Sequence, residues 1–257
     1  MTVHTHVDGP VLIVTSDRPE VRNAVDRPTA DALLEAFERF DDDRAQRVAV
    51  LTGAGGTFCA GADLHALGDD PESANRLERS YRGPMGPSRL ELGKPVVAAV
   101  EGHAVAGGLE LALWADLRVV ASDAVLGVFC RRWGVPLIDG GTVRLPRLIG
   151  QARAMDLILT GRAVDAEEAL AIGLATSVAS PGSALADAVA LAHRLAALPQ
   201  TTMLADRASL LGSHDLPMAD ALLAEHDGGV AAIDAGGMHE GVARFRSGRG
   251  RHGDPDL

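Results

Sequence analysis

The chain has 257 residues, with 35 acidic and 24 basic side chains and a formal net charge of −11; 47% of it is hydrophobic and 23% charged. That size and balance suit a soluble globular protein with a substantial core, and they argue against nucleic acid or a membrane surface as the main partner. Aromatic residues make up only 3%, so the core must be built from Ala, Val, Leu and Ile.

Val11 to Thr15 reads as a strand. In DRPTADALLEAFERFDDD, Leu33, Leu34, Phe37 and Phe40 recur at helical spacing behind Pro28, which predicts a helix. VAVLTG, Val48 to Gly53, predicts a strand ending in the small-residue loop GAGGTFCAGAD. PVVAAVEG, Pro95 to Gly102, predicts another, after which AVAGG opens a helix, LELALWAD. From Leu117, LRVVASDAVLGV offers two more short strands around a Ser-Asp turn. The run from Val125 to Gly150 is largely apolar, with Phe129, Trp133, Val135, Leu137 and Ile138 reading as buried around Cys130, Arg131, Arg132 and Asp139.

Beyond residue 150 strand signals nearly vanish, and helices are expected over 153–160, 165–172, 183–198, 201–211, 217–234 and 239–246. Strands mixed with helices early and helices alone later predict an α/β core over 1–195 and a helical region over 196–257. The closing RFRSGRGRHGDPDL is expected to fray. The start lacks a basic region followed by a long apolar run, and no apolar stretch approaches membrane-spanning length, so a cytoplasmic protein is expected. Cys59 and Cys130 are then expected as free thiols.

Two loops carry chemistry. GAGGTFCAGADL, Gly53 to Leu64, follows a strand, and its glycines and alanines let backbone amides approach a ligand. In EGHAVAGGLELALWAD, Gly107 and Gly108 fall where a helix begins, so their N–H groups lie among the unsatisfied donors of a positive helix end. An anion, or a carbonyl becoming one, would be stabilised there. Neither loop fits a P-loop or a dinucleotide-binding fingerprint.

Together the two loops resemble the crotonase superfamily of enoyl-CoA hydratases and isomerases. The likeness runs through RNAVD, GTFCAGADL, KPVVAAVEGHAVAGGLELALWAD and GGTVRLPRLIGQARAMDLILTGRAVDAEEALAIGLAT, and returns in HEGVARF. It implies a spiral of ββα units with a helical C-terminal part that assembles trimers or dimers of trimers. It also implies an acyl-CoA thioester as substrate and no cofactor beyond the CoA that substrate carries. The thioester oxygen would be held by the N–H groups of Ala62 and Gly107, and CoA would meet the segments containing Arg22, Ala24, Ala60, Asp63 and Leu64. Asp63 has an ordinary alternative role as a helix cap.

Hydration of a 2-enoyl thioester needs a base for water and an acid for the α-carbon, a division suited to two carboxylates in different environments. The resemblance places one at Glu110. The second glutamate of the hydratases falls at Cys130, a departure, since a thiol with a pKa near ~8.5 replaces a carboxylate poorly. Asp139 is similar in position to an aspartate of the dienoyl-CoA isomerase branch and so pairs with Glu110 as a candidate; its alternative is an ion pair with Arg131, Arg132 or Arg144. The arginine pair has three readings: subunit-interface ion pairs, partners of Asp139, or a clamp for a carboxylate on the acyl group. His65 and His103 read as bystanders, and no metal is expected. Hydration of 2-enoyl-CoA is the leading reaction. Double-bond isomerisation, decarboxylation of a malonyl-type thioester, and acyl-CoA binding without turnover are its rivals.

Overall fold

The computed structural model describes residues 2–69 and 72–248; the last part of the Gly- and Arg-rich terminus lies outside them. The chain forms two compact units, up to Ala192 and from His193 onward. The first unit begins with β1 (Val3–Asp8), β2 (Val11–Ser16), α1 (Arg27–Asp42), β3 (Val48–Gly53), α2 (Leu64–Asp69), β4 (Val96–Val100), β5 (His103–Val105) and α3 (Gly107–Trp114). It continues with β6 (Leu117–Ala121), β7 (Val125–Gly127), α4 (Gly141–Ile149), α5 (Gln151–Thr160), β8 (Ala163–Val164), α6 (Ala166–Ala171) and β9 (Ser177–Ala179). The unit boundary falls inside α7 (Ala184–Ala197).

Six strands form one sheet in the order β1-β2-β3-β4-β6-β9, antiparallel at β1/β2 and parallel elsewhere. β3 and β4 are buried along nearly their whole length, which is why VAVLTG and VVAAV are continuous apolar runs and not alternating ones. α1 lays Leu33, Leu34, Phe37 and Phe40 into the core. Its start is set by Asp26, whose side chain accepts the Thr29 N–H at 2.9 Å, a cap worth about 1 kcal/mol. Phe37 meets Trp114 of α3 edge-on at 4.8 Å between ring centres.

A second sheet, β5-β7-β8, is parallel at β5/β7 and antiparallel at β7/β8. The sequence reading contains neither β1 nor the short β5, β8 and β9, nor α4. Strands of two or three residues are too short for periodicity to register, and β1 is exposed on nearly every residue. The apolar run after β7 also departs from expectation: Trp133 is 70% and Ile138 39% exposed, because this stretch walls a cavity instead of filling the core.

In the second unit α8 (Gln200–Ser213) packs on α9 (Met218–Asp234), and α10 (Gly237–Arg246) touches both. Gly237 permits close packing there, since a Cβ would stand 2.8 Å from the Ala232 carbonyl. Leu210, Leu222, Leu223 and Phe245 are exposed.

Candidate active site

The loop after β3 turns back alongside β5. The Cys59 N–H donates to the His103 carbonyl at 2.8 Å and the Val105 N–H to the Cys59 carbonyl at 3.1 Å, so Cys59 pairs with Ala104 like a short added strand. This carries Ala60, Gly61 and Ala62 onto the start of α3. The contact is tight enough to require glycine. Gly61 has φ +103°, and a Cβ on it would lie 3.0 Å from the Gly107 nitrogen; one on Gly108 would lie 2.1 Å from the Cys59 carbonyl.

Ala106, just before α3, has φ +54° and ψ −126°. A side-chain-bearing residue so placed costs of order 1–3 kcal/mol and persists because its surroundings over-determine it. It orients the first amide of the helix. Neither the Ala62 nor the Gly107 N–H donates to a protein acceptor among the described residues, and both residues line a cavity of about 250 Å³.

Two carboxylates line the same cavity, Glu110 and Asp139, each 3% exposed. Glu110, on the first turn of α3, accepts the Asp139 N–H at 2.9 Å and the Gly141 N–H at 2.8 Å on Oε1. Gly141 keeps this approach close, since a Cβ there would lie 3.0 Å from that oxygen, tighter than side chains ordinarily pack. Asp139 accepts on Oδ1 from the Met85 N–H at 2.9 Å and from the Ser88 hydroxyl. In both carboxylates the other oxygen has no protein partner among the described residues.

Burial pushes the Glu110 carboxyl up to about 7, the negative charge of Asp139 adds to this, and the Gly141 and Asp139 amides and Arg144 oppose it. Burial also raises Asp139, against the hydrogen bonds from Ser88 and Met85. The Glu110 proton is thus exchangeable at neutral pH, as an acid–base group requires.

Of the other sequence-derived candidates, Ala60 and Leu64 line the cavity. Arg22, Ala24 and Asp63 do not. Arg22 is exposed with φ +54°, its carbonyl accepting the Ala60 N–H at 3.0 Å. Ala24 is buried, and its carbonyl accepts from Arg18 at 2.6 Å. Asp63 caps α2 through the His65 and Ala66 amides and pairs with Arg18 at 2.9 Å, so its carboxylate serves the loop.

Cys130 lines the cavity as a buried free thiol whose pKa is raised by burial and by nearby Glu110. Cys59 is likewise free and buried, and burial pushes it up to about 12.

The ion pair weighed for Asp139 does not form. Arg131 donates to the Ile158 carbonyl at 3.3 Å, and Arg132 donates to the Gly161 carbonyl at 3.2 Å while stacking 3.8 Å over Phe129. Arg144 donates to the Asp139 backbone carbonyl at 2.9 Å, not to the carboxylate. His65 is exposed and outside the cavity wall. No three metal-ligating side chains converge among the described residues.

Residues 75–89 are the part of the site that sequence reasoning missed. Asn75, Leu77, Pro84 and Met85 line the cavity. Asn75 donates to the Pro84 carbonyl at 2.8 Å, and Gly83 and Gly86 exchange two backbone hydrogen bonds. The glycine–proline pairs in GPMGPS are the only local signal, and they indicate a turn without indicating what it faces.

A family model, enoyl-CoA hydratase/isomerase, matches residues 7–249. The chain belongs to the enoyl-CoA hydratase/isomerase family. Over 244 residues it is 36% identical to an enoyl-CoA hydratase of Mycobacterium tuberculosis, covering 92% of this chain and 90% of that one. It is 38% identical over 229 residues to the (E)-benzylidenesuccinyl-CoA hydratase of Thauera aromatica, covering 88% of each. The crystal structure of an enoyl-CoA hydratase from Mycobacterium marinum superposes with a TM-score of 0.90 at 34% identity, covering 100% of this chain and 98% of that one. The fold is therefore the crotonase α/β spiral, with a helical C-terminal region.

Proposed function

We propose that this protein adds water across the double bond of a 2-enoyl-CoA. One observation carries the reading: two unpaired backbone amides from different loops border the same cavity as two buried carboxylates. The Ala62 and Gly107 N–H groups receive the thioester oxygen and stabilise the enolate formed when hydroxide equivalent adds to the β-carbon. Asp139, with Oδ1 held by two donors, takes a proton from the attacking water. Glu110, titrating near neutrality, delivers a proton to the α-carbon, and the pair resets by exchange with solvent. Written so, the reaction uses no group beyond the CoA of its substrate.

CoA itself is assigned to the segments 22–24 and 60–64, through Arg22, Ala24, Ala60 and Leu64, with Asp63 supporting the loop. The exposed apolar side chains of the second unit support assembly into a trimer or dimer of trimers. A cytoplasmic location belongs to the same proposal; among the described residues no helix is long and apolar enough to cross a membrane.

A second reading, double-bond isomerisation, is favoured by Cys130: with a protonated thiol where a second glutamate would be, the two remaining carboxylates suit proton shuttling without water. Decarboxylation loses its basis, because Arg131 and Arg132 lie outside the cavity wall. The deciding experiment follows the conjugated-thioester absorbance of a panel of 2-enoyl-CoA substrates and identifies products by mass. A product heavier by one water supports hydration, and an isobaric product supports isomerisation. Saturable binding with no turnover across the panel sinks both.

A further inference from the structure

We propose that Ser88 is a positioning residue for Asp139: its hydroxyl and the Met85 amide tie down one carboxylate oxygen and leave the other to exchange the proton. The proposal rests on the reading of Asp139 as a proton carrier. Ser88 is fully buried, in the short 3-10 turn Pro87–Arg89, and its hydroxyl donates to Asp139 Oδ1 across 51 residues of sequence.

The surrounding backbone is shaped to make this contact. Gly83 lies against the pair so closely that a Cβ would stand 1.8 Å from the Ser88 Oγ and 2.9 Å from Asp139 Oδ1. Gly83 and Gly86 lock the turn through reciprocal hydrogen bonds of 3.0 and 2.9 Å. Gly86, at φ +83°, sits where a Cβ would be 2.3 Å from the Ala30 carbonyl, which anchors the turn on α1. The same turn sends the Arg89 guanidinium to the Ile138 carbonyl at 3.0 Å. Three donors from residues 85–89 therefore converge on residues 138–139.

A hydroxyl donating to a carboxylate favours its ionised form, and in a buried site it opposes the rise that burial causes. It also stops the carboxyl from rotating to exchange its two oxygens. Removing the hydroxyl should therefore act on the proton transfer and not on substrate binding.

The test measures kcat, KM and the pH dependence of kcat/KM for native protein, Ser88→Ala, Asp139→Asn and the double variant, with affinity for a saturated acyl-CoA alongside. In Ser88→Ala the pH limb that Asp139→Asn abolishes should move to higher pH. Its kcat should fall by roughly 10- to 100-fold, with saturated acyl-CoA affinity unchanged. In the Asp139→Asn background the same substitution should do nothing further. Should Ser88→Ala melt below assay temperature, Ser88→Cys, similar in volume and a far weaker donor, is read by the same criteria. An unchanged pH profile and kcat in Ser88→Ala, with Asp139→Asn impaired, overturns the positioning role alone. An unimpaired Asp139→Asn overturns the proton-carrier reading and the Ser88 proposal with it.

Discussion

Glu110 and Asp139 are joined through backbone: Glu110 Oε1 accepts the N–H of Asp139 itself at 2.9 Å, while the Asp139 side chain turns to Met85 and Ser88. The two carboxyls thus share one cavity wall without sharing a hydrogen bond. Each has a different donor set, which separates their environments and lets one hold a proton while the other is charged.

Glu110→Gln keeps the shape and the acceptor oxygen that takes the Asp139 and Gly141 amides. Turnover should fall by about 10²- to 10⁴-fold, the range of a lost acid–base group. Binding of a saturated acyl-CoA, measured by calorimetry, should stay the same.

Asp139→Asn should reduce hydration by ~10²-fold or more. Product analysis matters here as much as rate, because a variant that still scrambles the double bond position while losing hydration would point to Glu110 acting alone.

The raised pKa of Glu110 predicts a pH-dependent stability. The folded protein holds this proton up to about 7, whereas the unfolded chain releases it near the ordinary 4.5. Between these values the folded state binds more protons, so stability from this group is full below the lower value and is lost as pH rises through the upper one. Glu110→Gln should flatten that decline, gaining at most about 3 kcal/mol relative to native protein at pH 8. Thermal melts across pH 4–8 would show it; parallel curves for the two proteins would refute it.

Cys130→Ala should leave turnover within about threefold of native, since a buried thiol with a raised pKa is protonated at neutral pH and is not a base. A loss as large as that of Asp139→Asn would return Cys130 to the catalytic machinery.

Gly108→Ala puts a methyl group 2.1 Å from the Cys59 carbonyl. The loops must part, and overpacking of this kind costs typically ~1–3 kcal/mol. A lowered melting temperature together with reduced kcat is expected, because the separation displaces the Gly107 amide from its partner at Ala62.

Much of this was legible in the chain alone. Leu33, Leu34, Phe37 and Phe40 announced α1, and VAVLTG and VVAAV announced strands, because burial of a helix stripe imposes a local period and burial of both strand faces a short continuous apolar run. Glu110 was legible only through the resemblance, which reads it from GGLEL; the residues alone show an acidic side chain one turn into a helix opened by two glycines. The setting of Asp139 was not legible. Its partners come from a turn that begins more than fifty residues earlier, and nothing local to either segment records that they meet. The same holds for Trp133 and Ile138, apolar residues whose exposure follows from the cavity they wall and not from their own composition. Periodicity and glycine placement are written by each segment's own backbone and burial, so the sequence determined the longer strands and helices and the two glycine-rich loops, while Glu110 and Asp139 were named as candidates through the family resemblance. Which hydroxyl and amide hold the second carboxylate, and where the arginines beside it go, depended on long-range packing, and only the tertiary structure decided them.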